Sequence, residues 1–183
     1  MSSRNTELSH EGNLLGALTL ALSDRMGDSV RAAAGGSAST AAALSSLAEF
    51  LDGPTVGRLQ QVVGLTPSGA VRLVDRLQGD GLVSRSLGED RRSREVSLTA
   101  RGRRGAEKVR NARAGVLEGA LASLSPAERR TLDRLLAKIL IGLRRPPGAT
   151  RWTCRLCDLT ACGRDEGRCP FTAARAAGRH ASA

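Results

Sequence analysis

Four cysteines, Cys154, Cys157, Cys162 and Cys169, stand within 16 residues in the spacing C-x2-C-x4-C-x6-C. Four thiolates so close together can wrap a tetrahedral zinc ion, at Zn–S distances of about 2.3 Å, using only tight turns. Gly163 directly after Cys162 favours this, because a glycine lets backbone amides turn toward sulfur. The same four ligands suit an iron–sulfur cluster, and without metal they are redox-active thiols; spacing alone does not choose the metal. The expectation is one closed site within each chain, with zinc as the favoured occupant, an iron–sulfur cluster as the alternative and unliganded thiols third. Trp152 and Phe171 bracket the cysteines and are expected to supply a small apolar shell. A zinc enzyme is the weaker reading, since catalytic zinc keeps an open position and a neighbouring base, whereas four cysteines fill the shell. His10 and His180 lack partners at ligand spacing, and no Ser–His–acid, paired-carboxylate or phosphate-loop arrangement can be assembled.

The second chemistry is cationic. The 183-residue chain carries a formal net charge of +10 and a pI near 11.1. Such a balance favours a polyanionic partner, because neutralising phosphates supplies most non-specific nucleic-acid affinity. Lys occurs only at positions 108 and 138, and all other cations are Arg. Arg can grip phosphate or guanine at two points, although a GC-rich coding sequence would produce the same preference. Residues 84–113 hold ten cations against four acids, a local excess of +6. Just before them, Ser68, Arg72 and Arg76 recur every four residues, with Gly69 and Val71 beside them, as one face of a helix would present them. Arg can bond a guanine edge, Ser can serve base or phosphate, and Gly admits close backbone approach. The bland reading of that row is a solvated helix face with Asp75 pairing locally. The Arg91, Arg92 and Arg94 side chains beyond it suit the narrow, negative minor groove.

Helices must position these groups, because aromatics make up only 2% of the chain and the core has to be Leu, Val, Ile and Ala. Leu15, Leu18, Leu22, Met26 and Val30 predict a long helix over about residues 8–34, and Leu44, Leu47 and Leu51 a second over 39–51. Thr55 caps a short helix ending at Gly64; Thr66-Pro67 starts the next, whose inward stripe is Ala70, Val74 and Leu77. Segments 82–87 and 94–98 read as two strands joined by a polar, cationic loop. Thr99 caps a helix running to about residue 124, and Ser125-Pro126-Ala127-Glu128 is a capping box for the last one. Leu132, Leu135, Leu136, Ile139, Leu140 and Leu143 give that helix a wide apolar stripe. A Pro- and Gly-bearing linker over 145–151 should hold the cysteine module apart from it. The fold class is therefore mainly α, with the order helix, turn, helix, two-stranded wing.

Residues 55–109 resemble the DNA-binding lobe of MarR-type regulators. The points of likeness are LTPSGAVRLVDRL at 65–77, Gly81-Leu82-Val83 entering the wing, Asp90-Arg91-Arg92 at its tip, and Leu98-Thr99 followed by Gly102. A looser likeness runs over 8–145. The resemblance implies a winged helix-turn-helix core at 55–109 inside a domain at 1–145, with dimerisation helices at about 8–34 and 99–145. It implies a homodimer on double-stranded DNA at a pseudo-palindromic operator, acting as a repressor released by a small-molecule effector or by oxidation. It assigns DNA contacts to Ser68, Gly69, Arg72 and Arg76 and to Asp90, Arg91 and Arg92, with Asp90 orienting a tip arginine. The cysteine tail at 146–183 departs from the family pattern, so the family's redox route through cysteines in the helical body does not carry over.

The longest apolar run, residues 14–22, is far shorter than the roughly 20 residues a spanning helix needs, so a cytoplasmic protein is expected. In that reducing compartment clustered cysteines read as metal or redox sites before disulfides.

Overall fold

A computed structural model describes residues 7–35, 37–88, 94–143 and 150–173. Helix α1 (His10–Ala33) starts where the Ser9 side chain accepts from the Gly12 N–H, and Gly35 leaves it at a φ of 75°. Helix α2 (Ala38–Glu49) follows and is the centre of the molecule, with every residue from 40 to 46 buried. Its run of alanines lets neighbouring helices approach closely. Helix α1 packs along α5 (Ala100–Leu121), and α2 lies against both.

Helices α3 (Val56–Val63) and α4 (Pro67–Gly79) share a core with α2 and the strands, in which Leu59, Val62, Val74, Leu77 and Val96 are at most 1% exposed. Strands β1 (Val83–Leu87) and β2 (Arg94–Leu98) pair antiparallel, from Val83 opposite Leu98 to Leu87 opposite Arg94. The chain before α3 joins this ribbon: the Val96 N–H donates to the Pro54 carbonyl at 3.0 Å, and Thr55 bridges to Glu95.

Helix α6 (Pro126–Gly142) has the expected capping box. The Ser125 N–H donates to the Glu128 carboxylate at 2.8 Å, and the Ser125 hydroxyl oxygen accepts from the Glu128 N–H. None of its residues is buried, and Leu135, Leu136, Ile139, Ile141 and Leu143 are all exposed. On α1, Leu14, Leu15, Leu18 and Leu20 are exposed too, while Met26 and Val30 pack inward.

Beyond α6 lie two one-turn helices that periodicity does not predict, α7 (Thr150–Thr153) and α8 (Leu159–Cys162). They are not held apart from the rest. Leu140 of α6 packs against Cys154, Cys169 and Phe171, and Leu156 joins the cluster of Val30, Ala41 and Val109. The linker expectation is therefore corrected. Leu140 and Leu156 have apolar faces that the core can cover, and this outweighs the stiffness of a Pro-bearing linker.

Candidate nucleic-acid interface and cysteine cluster

The turn between α3 and α4 is set by backbone chemistry. Gly64 takes φ 73°, ψ 37°, ending α3, while the Gln60 carbonyl accepts from the N–H groups of Gly64 and Leu65. The Gln60 side-chain amide donates across the turn to the Leu65 carbonyl at 3.1 Å. Thr66 then caps α4 by accepting from the Gly69 N–H at 3.2 Å, with Pro67 in the first turn.

Helix α4 buries Ala70, Leu73, Val74 and Leu77, adding Leu73 to the anticipated stripe. Ser68, Arg72 and Arg76 are exposed together on the opposite face, with Val71 and Asp75. Gly69 is half-buried and has a further role, since a Cβ there would stand 3.0 Å from the capping Thr66 Oγ1. Asp75 does not neutralise this row. It accepts from Arg85 Nη2 of β1 at 2.6 Å, so it ties helix to wing. Arg72 and Arg76 have no hydrogen bond or ion pair among the described residues and remain available to an external anion.

The wing begins as expected, with Val83 and Val96 inward and Arg94 exposed at the last strand pair. Asp90, Arg91 and Arg92 lie outside the described residues. The junction to α5 gives the Leu98-Thr99-x-x-Gly102 pattern a physical cause. Thr99 Oγ1 donates to the Gly81 carbonyl at 2.7 Å and accepts from the Gly102 N–H at 3.0 Å. A Cβ on Gly102 would collide with the Leu82 carbonyl oxygen, so α5 can pass this close to the wing only with glycine there.

The four cysteines form no disulfide, and they gather in one place. Cys154 and Cys169 are buried beside Phe171, with Cys157 and Cys162 half-buried around them. Two tight turns bring this about: the Cys157 N–H donates to the Cys154 carbonyl at 2.9 Å, and Gly163 ends α8 at φ 61°. The thiols pair as Cys154 with Cys157 and Cys162 with Cys169. The hydrogen bond from Cys157 brings the Cys154 thiol down to about 7 and pushes Cys157 far up. Burial, then the bond to Cys169, pushes Cys162 up to about 11. Burial opposes ionisation of Cys169, but N–H groups of Thr172 and Phe171 and the Cys162 thiol outweigh it and lower its pKa.

As placed, no three His, Cys, Asp or Glu side chains stand in metal-ligating geometry among the described residues. The donor set nevertheless fits a thiophilic ion. Four cysteine sulfurs share one cluster, bonded in two thiol pairs whose protons a metal would displace. Phe171 supplies the apolar shell, as expected. Trp152 does not: its ring lies against Gly64 of the helix-turn-helix and carries the Arg155 guanidinium 3.7 Å from its centroid. Two polar anchors to α2, which no sequence signal announced, complete the docking. Ser46 Oγ donates to the Arg155 carbonyl at 3.2 Å, and the Leu159 N–H donates to the Glu49 carboxylate at 2.9 Å.

Between α2, β2, α5 and the tail is a cavity of about 480 Å³, bordered by Glu49, Asp52, Arg110, Arg113, Leu156 and Cys157. No helix of the described residues is long and apolar enough to cross a membrane.

A two-helix unit with an outward cationic row, flanked by a β-ribbon, defines the class: a winged helix-turn-helix regulator. Within it, the chain is similar to the MarR-family transcriptional regulators. A MarR family protein from Bacillus stearothermophilus superposes with a TM-score of 0.66 at 28% identity, covering 79% of this chain and 99% of its own. A MarR-family regulator from Silicibacter pomeroyi gives 0.59 at 27%, covering 76% and 96%. MepR, a regulator of the Staphylococcus aureus multidrug efflux pump MepA, shares the fold at 17% identity, with a TM-score of 0.62 over 74% of this chain and 99% of its own. No family model matches the chain, and no curated protein matches its sequence.

Proposed function

We propose that this chain is a sequence-specific, double-stranded-DNA-binding repressor that acts as a homodimer on a pseudo-palindromic operator and holds zinc on its four cysteines. The observation that carries the DNA reading is the row of Ser68, Arg72 and Arg76, exposed on α4 while Asp75 is engaged by Arg85 of the wing. Gly69 and the wing-tip residues Asp90, Arg91 and Arg92 complete the contact set. The dimer reading is supported by the exposed apolar residues of α1 and α6, Leu14, Leu15, Leu18, Leu135, Leu136 and Ile139 among them, which a second copy of the chain would cover. A small-molecule effector is assigned to the cavity beside α5, where Arg110 and Arg113 would attract an anionic group.

Zinc is favoured because four thiolates of one cluster, drawn together around the ion, would fill its tetrahedral shell and leave no open position for catalysis. The test is selection of duplexes from a random library by purified protein, followed by footprinting and metal analysis. The expected result is a two-fold symmetric protected site, about one zinc per chain and a colourless protein. A brown protein with visible absorbance would make the occupant an iron–sulfur cluster. Failure to enrich any sequence would overturn the DNA reading.

A further inference from the structure

Gly64 closes the turn that aims the recognition helix α4, and it sits at a positive φ of 73°. Absence of a side chain there serves a second purpose. A Cβ on Gly64 would fall inside the contact distance of the Trp152 ring, 2.8 Å from Cε3. The indole thus occupies the space left by the missing side chain, against the backbone of the helix-turn-helix.

The residues that hold Trp152 there are interleaved with the thiols. Trp152 is two positions before Cys154, and Arg155, which stacks on it and donates to its carbonyl at 2.7 Å, lies between Cys154 and Cys157. Leu156, packed on Val30, Ala41 and Val109, is next to Cys157, and Leu159, anchored on Glu49, lies between Cys157 and Cys162. Ser46, at 0% exposure, directs its hydroxyl at the Arg155 carbonyl. The surface of α2 is thereby matched to the tail. Helices of four residues such as α7 and α8 cannot sustain themselves, because one turn of helix does not repay its nucleation. The two turns therefore depend on the contacts around them, and the thiols lie among the residues that make those contacts.

We propose that the cysteine segment is a brace on the helix-turn-helix, by which metal loading at the thiols is transmitted through Trp152 and Gly64 to the recognition helix and raises operator affinity. This rests on the metal reading above. With the thiols closed, Trp152 is fixed two residues from a ligand and confines the α3–α4 turn, so α4 meets DNA already aligned. With the thiols open, the turn must be ordered at the moment of binding, which weakens association. The coupling is reciprocal, so DNA must tighten zinc binding by the same factor.

Trp152 is the sole tryptophan and the chain has no tyrosine, so intrinsic fluorescence reports this contact alone. The experiment titrates zinc into metal-free full-length protein. It follows Trp152 emission and, separately, anisotropy of a labelled duplex selected from a random library by the zinc-loaded protein. The expected result is a blue shift of emission saturating at one zinc per chain, with operator affinity rising about tenfold. Trp152→Ala should still take up one zinc yet bind the duplex equally with and without it, near the affinity of the metal-free wild type. Glu49→Ala, which removes only an anchor on α2, should reduce the zinc effect in part and keeps the question answerable if the first variant folds poorly. Equal operator affinity of zinc-loaded and metal-free wild type, with zinc bound, would overturn the brace and leave the metal site standing. So would an undiminished tenfold effect in Trp152→Ala. No zinc uptake by the wild type would instead remove the metal reading, and the brace with it.

Discussion

Arg85 of the wing and Asp75 of the recognition helix are joined by a 2.6 Å ion pair across ten residues of sequence. The Arg85 side chain is largely covered, and its Nε is buried with no hydrogen-bond partner among the described residues, where Asp75 is the guanidinium's ion-pair partner. Asp75→Ala should cost about 1 kcal/mol of stability. It should also weaken operator binding without changing base preference, because it frees the wing rather than a base contact. Denaturant unfolding and binding to the selected duplex check both; unchanged affinity would show that the wing is held by the strands alone.

Arg72 is exposed at the centre of the outward row. If it bonds a base edge, Arg72→Ala should cost about 1–3 kcal/mol and relax the selected sequence at one position in each half-site. Arg92→Ala should instead weaken specific and non-specific binding alike and lower the salt slope by about one unit. Identical salt slopes with unaltered preference in both variants would contradict the division of roles.

Leu135 of α6 is 51% exposed in the single chain. Leu135→Glu should therefore scarcely disturb the fold of one chain while splitting the dimer, and its footprint should shrink to one half-site. Light scattering at micromolar concentration checks the first, and in the wild type the two half-sites should lie about 34 Å apart.

Deleting the chain from Trp152 onward removes the carbonyl that accepts from Ser46 Oγ and strips Leu156 from Val30, Ala41 and Val109, exposing that apolar surface. Losing the burial of one leucine costs about 1.5–3 kcal/mol. The truncated protein should fold, but with a lower melting temperature than the full chain. An unchanged melting temperature would show that these contacts contribute nothing.

The Glu128 carboxylate accepts from the Ser125 hydroxyl and backbone N–H, and these bonds hold its pKa below the ordinary 4.5. A lowered carboxylate stabilises the folded state above its unfolded pKa, and this contribution fades as pH falls through the folded value. Glu128→Ala should therefore unfold more easily than wild type at neutral pH, with the gap closing below about pH 4. Thermal unfolding across that range measures it.

Much of the frame was legible along the chain. Thr55, Thr66, Thr99 and Ser125 each cap the helix they were read to start, because capping is a bond to an amide three residues on. The outward row on α4 was legible for the same reason: once Ala70, Val74 and Leu77 face inward, 3.6-residue periodicity places Ser68, Arg72 and Arg76 outward. Leu73 was missed because a helix on a broad core buries a wider stripe than the minimum.

Local rules acting over three or four residues, together with charge and cysteine spacing, determined the helices, the wing, the cationic face and the gathering of four thiols. Where the tail goes was decided only in three dimensions. Ser46 meets Arg155 across 109 residues and Glu49 meets Leu159 across 110, and no local periodicity encodes such partners. Trp152 stands near the cysteines in sequence and was assigned to their shell. It went instead to Gly64, where a missing Cβ leaves space for an indole, because packing rewards complementary shape irrespective of sequence distance.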